Sequence, residues 1–337
     1  MKFLIAGFGS IGRRHFKNLR ALGEREIVFY RTQKGLLEDP VLANYPVETD
    51  LERALDHQPD AVIVSNPTAF HLSVAQPAVE RGCHLLLEKP VSHNLAGVSE
   101  LRETAVSSGS KILVGYQFRF HPHLQKIKGW LQEGNLGQIS YVRAHWGEYL
   151  PNWHPWEDYR EGYSARKDLG GGVILTLSHP IDYLLWLFGG VSEVSAAAGE
   201  ANLLDIEVEE LISANLRFKN RILGSLHLNY LQRPADHHLE IIGSEGEVSW
   251  DYHTETLTRF SHQENCREEF SLPEGFSRNE MFLQEISHFR EIIRGNEVPV
   301  CPLEEGLEVQ RICSALYCSL QEKAWISIAG VDEERCS

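Results

Sequence analysis

Apolar positions along the first third of the chain fall into two alternating patterns. Short, almost unbroken apolar runs at 2–6, 27–30, 61–64, 85–87 and 112–114 read as strands. Between them, stretches with helical spacing read as helices over 11–22, 51–57, 69–81 and 95–107. Asp50 supplies an N-cap for the second of these and Gly82 a stop for the third. Strands apolar on both faces and separated by helices predict a parallel sheet covered on both sides. The pattern then changes. Segments 139–149 and 194–200 are strand-like, and 207–218 and 221–230 alternate around a hairpin-type connection at 217–221. Segments 238–242 and 248–251 follow, joined by Gly243-Ser244-Glu245-Gly246. Strands this close in sequence pair antiparallel. Two helices, 280–294 and 303–322, close the chain. The predicted class is α/β in two parts: a parallel-sheet domain over 1–120, and an α/β domain over 121–337 with a large, mainly antiparallel sheet.

The first strand runs directly into Gly7-Phe8-Gly9-Ser10-Ile11-Gly12, and a helix follows at once. A lone G-x-G-x-x-G is weak evidence, but between a strand and a helix it has the context of a dinucleotide-binding turn. Gly7, Gly9 and Gly12 permit a tight turn and close approach of a pyrophosphate, and Ser10 and Ile11 open the helix whose N–H groups face it. An Asp or Glu after the second strand usually holds a ribose 2′-hydroxyl. Here that strand ends Tyr30-Arg31-Thr32-Gln33, without a carboxylate. Arg31 and Thr32 suit a 2′-phosphate, so the sequence favours NADP over NAD. Lys89 follows the fourth predicted strand, where ligands of such sheets bind. Oxidation of a secondary alcohol needs a group to take the hydroxyl proton as hydride leaves, and Lys89 is the first candidate. Burial beside a cationic nicotinamide lowers a lysine pKa, because both disfavour the ammonium.

Further strings sit at informative distances. Asn66-Pro67-Thr68-Ala69-Phe70-His71 follows the third strand, Glu88-Lys89-Pro90 the fourth, and Gly115-Tyr116-Gln117-Phe118-Arg119-Phe120-His121-Pro122 ends the sheet. Gly170-Gly171-Gly172 and Ser178-His179-Pro180-Ile181-Asp182-Tyr183 come later. Together with the glycine turn, this set resembles the glucose–fructose oxidoreductase / inositol dehydrogenase (Gfo/Idh/MocA) family over nearly the whole chain. The stretch from Tyr149 to Arg166 looks like a branch associated with surface-polysaccharide sugars. The resemblance implies an N-terminal Rossmann domain, reversible hydride transfer between a nicotinamide and a sugar or cyclitol carbon, and a homodimer or homotetramer built on the open face of the second sheet. It also implies that Lys89 contacts substrate and cofactor, that Glu88 orients Lys89, that a cis peptide precedes Pro90, and that Asn66, Pro67, His71 and Arg119 contribute to the cofactor site.

The family usually carries an Asp on the helix after the triple glycine, with a His one turn later. This chain has Thr176 at the first position and His179 at the second, predicted on one helical face. Thr176 is no base at neutral pH, which leaves it a substrate contact and makes His179 the second proton-handling candidate beside Lys89. Pro180 removes an N–H from the predicted helix and kinks it. Sugars present apolar faces and hydroxyls, so Tyr116, Trp156, Tyr159, Tyr163 and Arg166 complete the expected substrate contacts, and His121 follows the same strand as Arg119. Arg160, Arg166 and Lys167 are the cations available to an anionic or nucleotide-linked sugar. Two other readings remain: a cofactor-retaining epimerase or lyase without net redox, and a non-catalytic NAD(P)-binding sensor or assembly protein. No metal is expected, because His121-Pro122-His123 and His237-His238 lack ligand spacing.

Composition narrows the partners. With 32 Lys+Arg against 47 Asp+Glu, the formal charge of this 337-residue chain is −15, which argues against nucleic acid or an anionic membrane. No stretch approaches the ~20 apolar residues of a membrane span. The N-terminal apolar run is too short for a signal sequence. Cys83, Cys266, Cys301, Cys313, Cys318 and Cys336 form no C-x-x-C pair and no cluster, so neither a disulfide framework nor a zinc site is expected. These features read as a cytoplasmic protein acting on a small carbohydrate.

Overall fold

The computed structural model describes residues 1–32 and 40–331; Gln33 and Cys336, named above, lie outside them. The chain begins β1 (Lys2–Ala6), α1 (Ser10–Ala21), β2 (Glu26–Tyr30), β3 (Val47–Glu48), α2 (Leu51–Asp56), β4 (Ala61–Val64), α3 (His71–Glu80), β5 (His84–Glu88), α4 (Val98–Ser108) and β6 (Ile112–Gly115). It continues α5 (Pro122–Gln132), β7 (Ile139–Gly147), α6 (Val173–Thr176), α7 (His179–Phe188), β8 (Val191–Ala198), β9 (Leu211–Phe218) and β10 (Leu223–Asn229). The last elements are β11 (Asp236–Gly243), β12 (Gly246–Asp251), β13 (Thr256–Ser261), β14 (Cys266–Phe270), α8 (Arg278–Arg294), α9 (Leu303–Glu322) and β15 (Ile326–Ser327).

Two compact units divide the chain: residues 1–117 with 277–307, and 118–276 with the chain from Glu308 onward. The expected division after residue 120 assigns 277–307 to the second domain, whereas α8 packs within the first unit. Its apolar stripe supplies Phe289, whose ring lies 6.5 Å from that of Phe3 on β1, and Phe282, under the guanidinium of Arg14 on α1. The N–H of Val114 on β6 donates to Cys301 at 2.9 Å. Helical periodicity reveals α8 but not which sheet its apolar face covers.

In the first unit the six strands run in the order β3-β2-β1-β4-β5-β6, all parallel. β4 is buried along its whole length, as an unbroken apolar run requires when helices cover both faces. The strand order reverses between β1 and β4, so a crevice opens at their carboxyl ends, at Gly7 and Asn66.

The second unit holds nine strands in the order β14-β13-β12-β11-β7-β10-β9-β8-β15. All described pairings are antiparallel except β10 with β7. The predicted α/β class and mainly antiparallel second sheet are what the chain forms. β9 alternates buried and exposed residues, so one sheet face is covered and the other open. On the open face His145, at the centre of β7, pairs in register with His227 on β10 and His238 on β11. Their rings stack with centroids 5.0 Å apart on either side. At one sheet edge β14 exposes Cys266, Arg267 and Glu269; at the other β15 is two residues long.

The single helix expected across Thr176, His179 and Pro180 is two helices. α6 ends at Thr176, α7 starts at His179, and the segments meet at a bend of 48°. Pro180 lies in the first turn of α7, where no intrahelical N–H bond is needed, so the predicted kink is a break just before the proline. No single helix among the described residues is long and apolar enough to cross a membrane. Cys318 on α9 is disulfide-bonded, which cysteine spacing did not signal.

An aromatic and imidazole cluster anchors the covered face. Trp250 on β12 is fully buried, with the rings of His237 and His121 at 5.1 and 5.2 Å. Its indole N–H has no hydrogen-bond partner. Trp250→Ala is expected to lower unfolding stability by about 3–5 kcal/mol. Trp250→Phe is expected to cost much less, because it also removes an unsatisfied donor. Urea midpoints of the two variants check this.

Candidate active site

The glycine turn is dictated by close approach. Gly7 has φ +95°, and a Cβ on it would lie 2.6 Å from the backbone nitrogen of Asn66. A Cβ on Gly12 would lie 2.2 Å from the carbonyl oxygen of Gly7. The Ser65 hydroxyl donates to the carbonyls of Ala6 and Gly7 at 3.1 and 2.9 Å, tying the end of β4 to the turn. A Cβ on Gly9, by contrast, would meet nothing within 4 Å, so the turn faces open space there. Gly9 caps α1 without a side-chain hydrogen bond, and the first turn holds no acidic residue. Ser10 is exposed and Ile11 half-buried. The first N–H groups of this twelve-residue helix are thus available to an anion. The turn fits a dinucleotide pyrophosphate.

Arg31 and Thr32 follow β2, Arg31 half-buried and Thr32 exposed. The Arg31 N–H donates to the Glu48 carbonyl at 3.0 Å. The nearby Glu48 carboxylate is engaged by His57 at 2.9 Å. Asn66 donates through Nδ2 to the Phe70 carbonyl at 2.9 Å, and Pro67 follows it in the turn after β4. His71 is 1% exposed, with Nδ1 2.9 Å from the Pro90 carbonyl and Nε2 3.0 Å from that of Asn66. Both nitrogens thus face backbone, and His71 joins the turns after β4 and β5; burial lowers its pKa. Lys89 is half-buried on the second of these turns, and the Lys89–Pro90 peptide is cis as the resemblance implied. Glu88 is buried. Tyr116, immediately after β6, is buried as well.

In the second unit, Arg119 is buried and engaged by a carboxylate. Its Nε lies 3.1 and 3.2 Å from the two oxygens of Asp182 on α7, and Nη2 lies 2.6 Å from Oδ1. Asp182 is fully buried, so this is an interior ion pair. His121 is buried too, and burial, then His123, pushes its pKa down to about 3. It is therefore a neutral ring in the aromatic cluster. His179 is 3% exposed, packed at 5.0 Å from the ring of Phe118 and 5.7 Å from that of Trp146. Thr176 is buried.

The triple glycine is also a matter of space. A Cβ on Gly171 would lie 2.4 Å from the Tyr163 carbonyl, and one on Gly172, at φ +102°, 2.5 Å from the Glu209 carboxylate. Glu209 Oε1 accepts the N–H of Ile174 at 3.0 Å and the Tyr317 hydroxyl at 2.8 Å. Its carboxylate is enclosed, and desolvation raises its pKa to about 7.

The expected substrate contacts are dispersed. Trp156 is 63% exposed. The Tyr159 hydroxyl donates to the Leu204 carbonyl at 2.8 Å, and Tyr163 is half-buried. Arg166 is exposed and forked onto Asp168, and Arg160 onto Asp158, so a local carboxylate answers each charge. Asp182, Glu209, Tyr230, His15 and Glu285 were not anticipated. The available signal was an acid inside an apolar frame, adjacent in sequence at Ile181-Asp182-Tyr183 and at helical spacing around Glu285 through Met281, Phe282 and Phe289.

A parallel sheet with this strand order, a glycine turn fit for a pyrophosphate and a lysine after β5 define an NAD-binding oxidoreductase. Family models agree. An oxidoreductase family with an NAD-binding Rossmann fold matches residues 1–116, and the GFO/IDH/MocA C-terminal domain matches residues 124–249. The chain belongs to the Gfo/Idh/MocA family of NAD(P)-dependent dehydrogenases. It is 27% identical to the uncharacterized oxidoreductase YrbE of Bacillus subtilis, over 94% of this chain and 93% of that one. It is 24% identical to the myo-inositol 2-dehydrogenase of Thermotoga maritima, over 98% and 99%. Levoglucosan dehydrogenase, solved with NADH and levoglucosan, superposes with a TM-score of 0.85 at 18% identity, covering 97% of this chain and 99% of that one.

Two outcomes are expected. Arg119→Met or Asp182→Leu strands the opposite charge in the interior and lowers stability by about 3–5 kcal/mol, the double variant much less. For Glu209, the folded pKa lies above the unfolded value, so the folded state binds the extra proton between pH 4.5 and about 7. Its contribution is complete below that window and is lost as pH rises through it. Thermal unfolding across this range is expected to show Glu209→Gln gaining on the parent protein as pH rises.

Proposed function

We propose that the protein transfers hydride reversibly between NADP, or less favourably NAD, and a CH–OH carbon of a sugar, sugar acid or nucleotide-linked sugar. The observation that carries this reading is the pairing, in one unit, of the open glycine turn with Lys89 on a turn held by His71. The names of the myo-inositol and levoglucosan enzymes support a polyhydroxylated ring as substrate.

Gly7, Gly9, Gly12 and the N–H groups of Ser10 and Ile11 would hold the pyrophosphate, with Arg31 and Thr32 at the adenosine end. Bound there, the nicotinamide supplies the hydride acceptor or donor. Lys89 takes the hydroxyl proton through Nζ when the substrate is oxidised and returns it in the reverse direction. His179 is the second proton-handling group. Its packing against Phe118 and Trp146 fixes the ring plane and excludes water from it. Thr176 offers a hydroxyl to substrate but no base. We also propose a homodimer or homotetramer formed through the open face of the second sheet, where Leu223 and Ile242 are exposed.

Turnover with a panel of sugars, sugar acids and nucleotide sugars, followed by NAD(P)H absorbance, tests the reading. Lys89→Met is expected to lower kcat by about 100-fold or more while the cofactor still binds. Full turnover in that variant, or cofactor binding without turnover on any substrate, overturns it. Product formed from tightly retained cofactor without net NAD(P)H change would instead identify an epimerase or lyase. Arg31→Ala is expected to weaken NADP about tenfold more than NAD by fluorescence titration.

A further inference from the structure

Behind the Lys89 turn lies a group of side chains that hydride transfer does not itself require. His15 on α1, Glu88 at the end of β5 and Glu285 on α8 are all buried, with their ligand atoms within 4.8 Å of one another. His15 Nε2 is 2.6 Å from Glu88 Oε1. The other Glu88 oxygen accepts the backbone N–H of Lys89 at 3.3 Å. The Glu88 carboxylate lies over Gly115, where a Cβ would come within 3.3 Å of its Cδ and Oε2. Glu285 is 1% exposed, and neither of its oxygens has a hydrogen-bond partner. Among the described residues no lysine or arginine pairs with either acid.

Two carboxylates and one imidazole thus share a dry pocket. The 2.6 Å contact pairs the His15 ring with Glu88 and leaves Glu285 without a partner of its own. A second ionised carboxylate would stand without a counterion at high cost. Burial, and then the charge of Glu88, push the Glu285 carboxyl well above the usual carboxylate range. An ionised Glu285 would also compete for His15 and loosen Glu88 from the turn it supports.

We propose that Glu285 is a positioning residue that stores a proton beside the His15–Glu88 pair and thereby holds Glu88, and with it the backbone of Lys89, in place for proton transfer. The inference rests on Lys89 as a proton-handling group. Glu285→Gln reproduces the shape and neutrality of the protonated acid, whereas Glu285→Leu keeps neutrality without the polar head. Glu285→Leu is expected to lower kcat at least about tenfold and to displace the Lys89 limb of the pH profile, with cofactor KM changed less than about twofold. Glu285→Gln is expected to restore kcat and the profile. Above about pH 8, where Glu209 is ionised, the parent protein is expected to show the infrared carbonyl band of a buried protonated carboxylic acid, absent from both variants.

No such band, equal loss in the two variants, or a stoichiometric divalent metal in the purified protein overturns the proposal; the last would assign the three side chains to a cation. If Glu285→Leu does not fold, the Gln variant and the infrared band decide. The band is independent of turnover. Its absence overturns the stored proton whatever Lys89 does, while a band together with full turnover in Lys89→Met overturns the reading of Lys89 instead.

Discussion

The approach of the β1 and β4 carboxyl ends is the constraint on which the first unit depends. Gly7 and Gly12 are compressed against backbone, and the Ser65 hydroxyl bonds the Ala6 and Gly7 carbonyls. Neither glycine can gain a Cβ without pushing a strand or helix aside. Because those two contacts draw α1 close over the sheet, its N-terminus opens at the crevice where the strand order reverses. The next two turns inherit the arrangement. His71 spans from the Asn66 carbonyl to that of Pro90, so the position of Lys89 is referred back, through backbone, to the same crevice.

Both units place ionisable groups in dry surroundings and resolve the cost differently. Arg119 and Asp182 neutralise one another with several short hydrogen bonds. Glu209 has hydrogen-bond donors but no cation in direct contact, and its affinity for a proton rises to about neutral pH. Among the described residues Glu285 has neither, and its affinity for a proton is raised as well. A buried carboxyl without a cation beside it keeps its proton more readily than one in water.

Much of the fold was legible because hydrophobic period and topology are coupled in parallel sheets. The apolar runs at β1, β4 and β5 could be buried only between helices, and the hairpin at 217–221 needed only local alternation. What stayed hidden was non-local. Nothing in the spacing of α8 says that it covers the first sheet, since its apolar stripe would suit either. The break between Thr176 and His179 was read as a kink inside one helix, because a proline looks alike in sequence whether it bends a helix or starts one. The cofactor turn was legible for the opposite reason: its glycines answer a local steric demand. The pairing of Arg160 with Asp158 and of Arg166 with Asp168 was not legible, because a two-residue spacing faces apart on a helix but meets in these loops.

The borders of the second sheet also limit what the molecule can build. A strand edge with free N–H and C=O groups recruits another strand, and repetition of that step gives a fibre. Here one border is the charged strand β14 and the other is only two residues of β15. Growth along the hydrogen-bonding direction is therefore blocked at both ends, leaving the broad open face. In the oligomer proposed above, contacts across that face about a two-fold axis would close on themselves and give a finite, symmetric particle rather than an endless one.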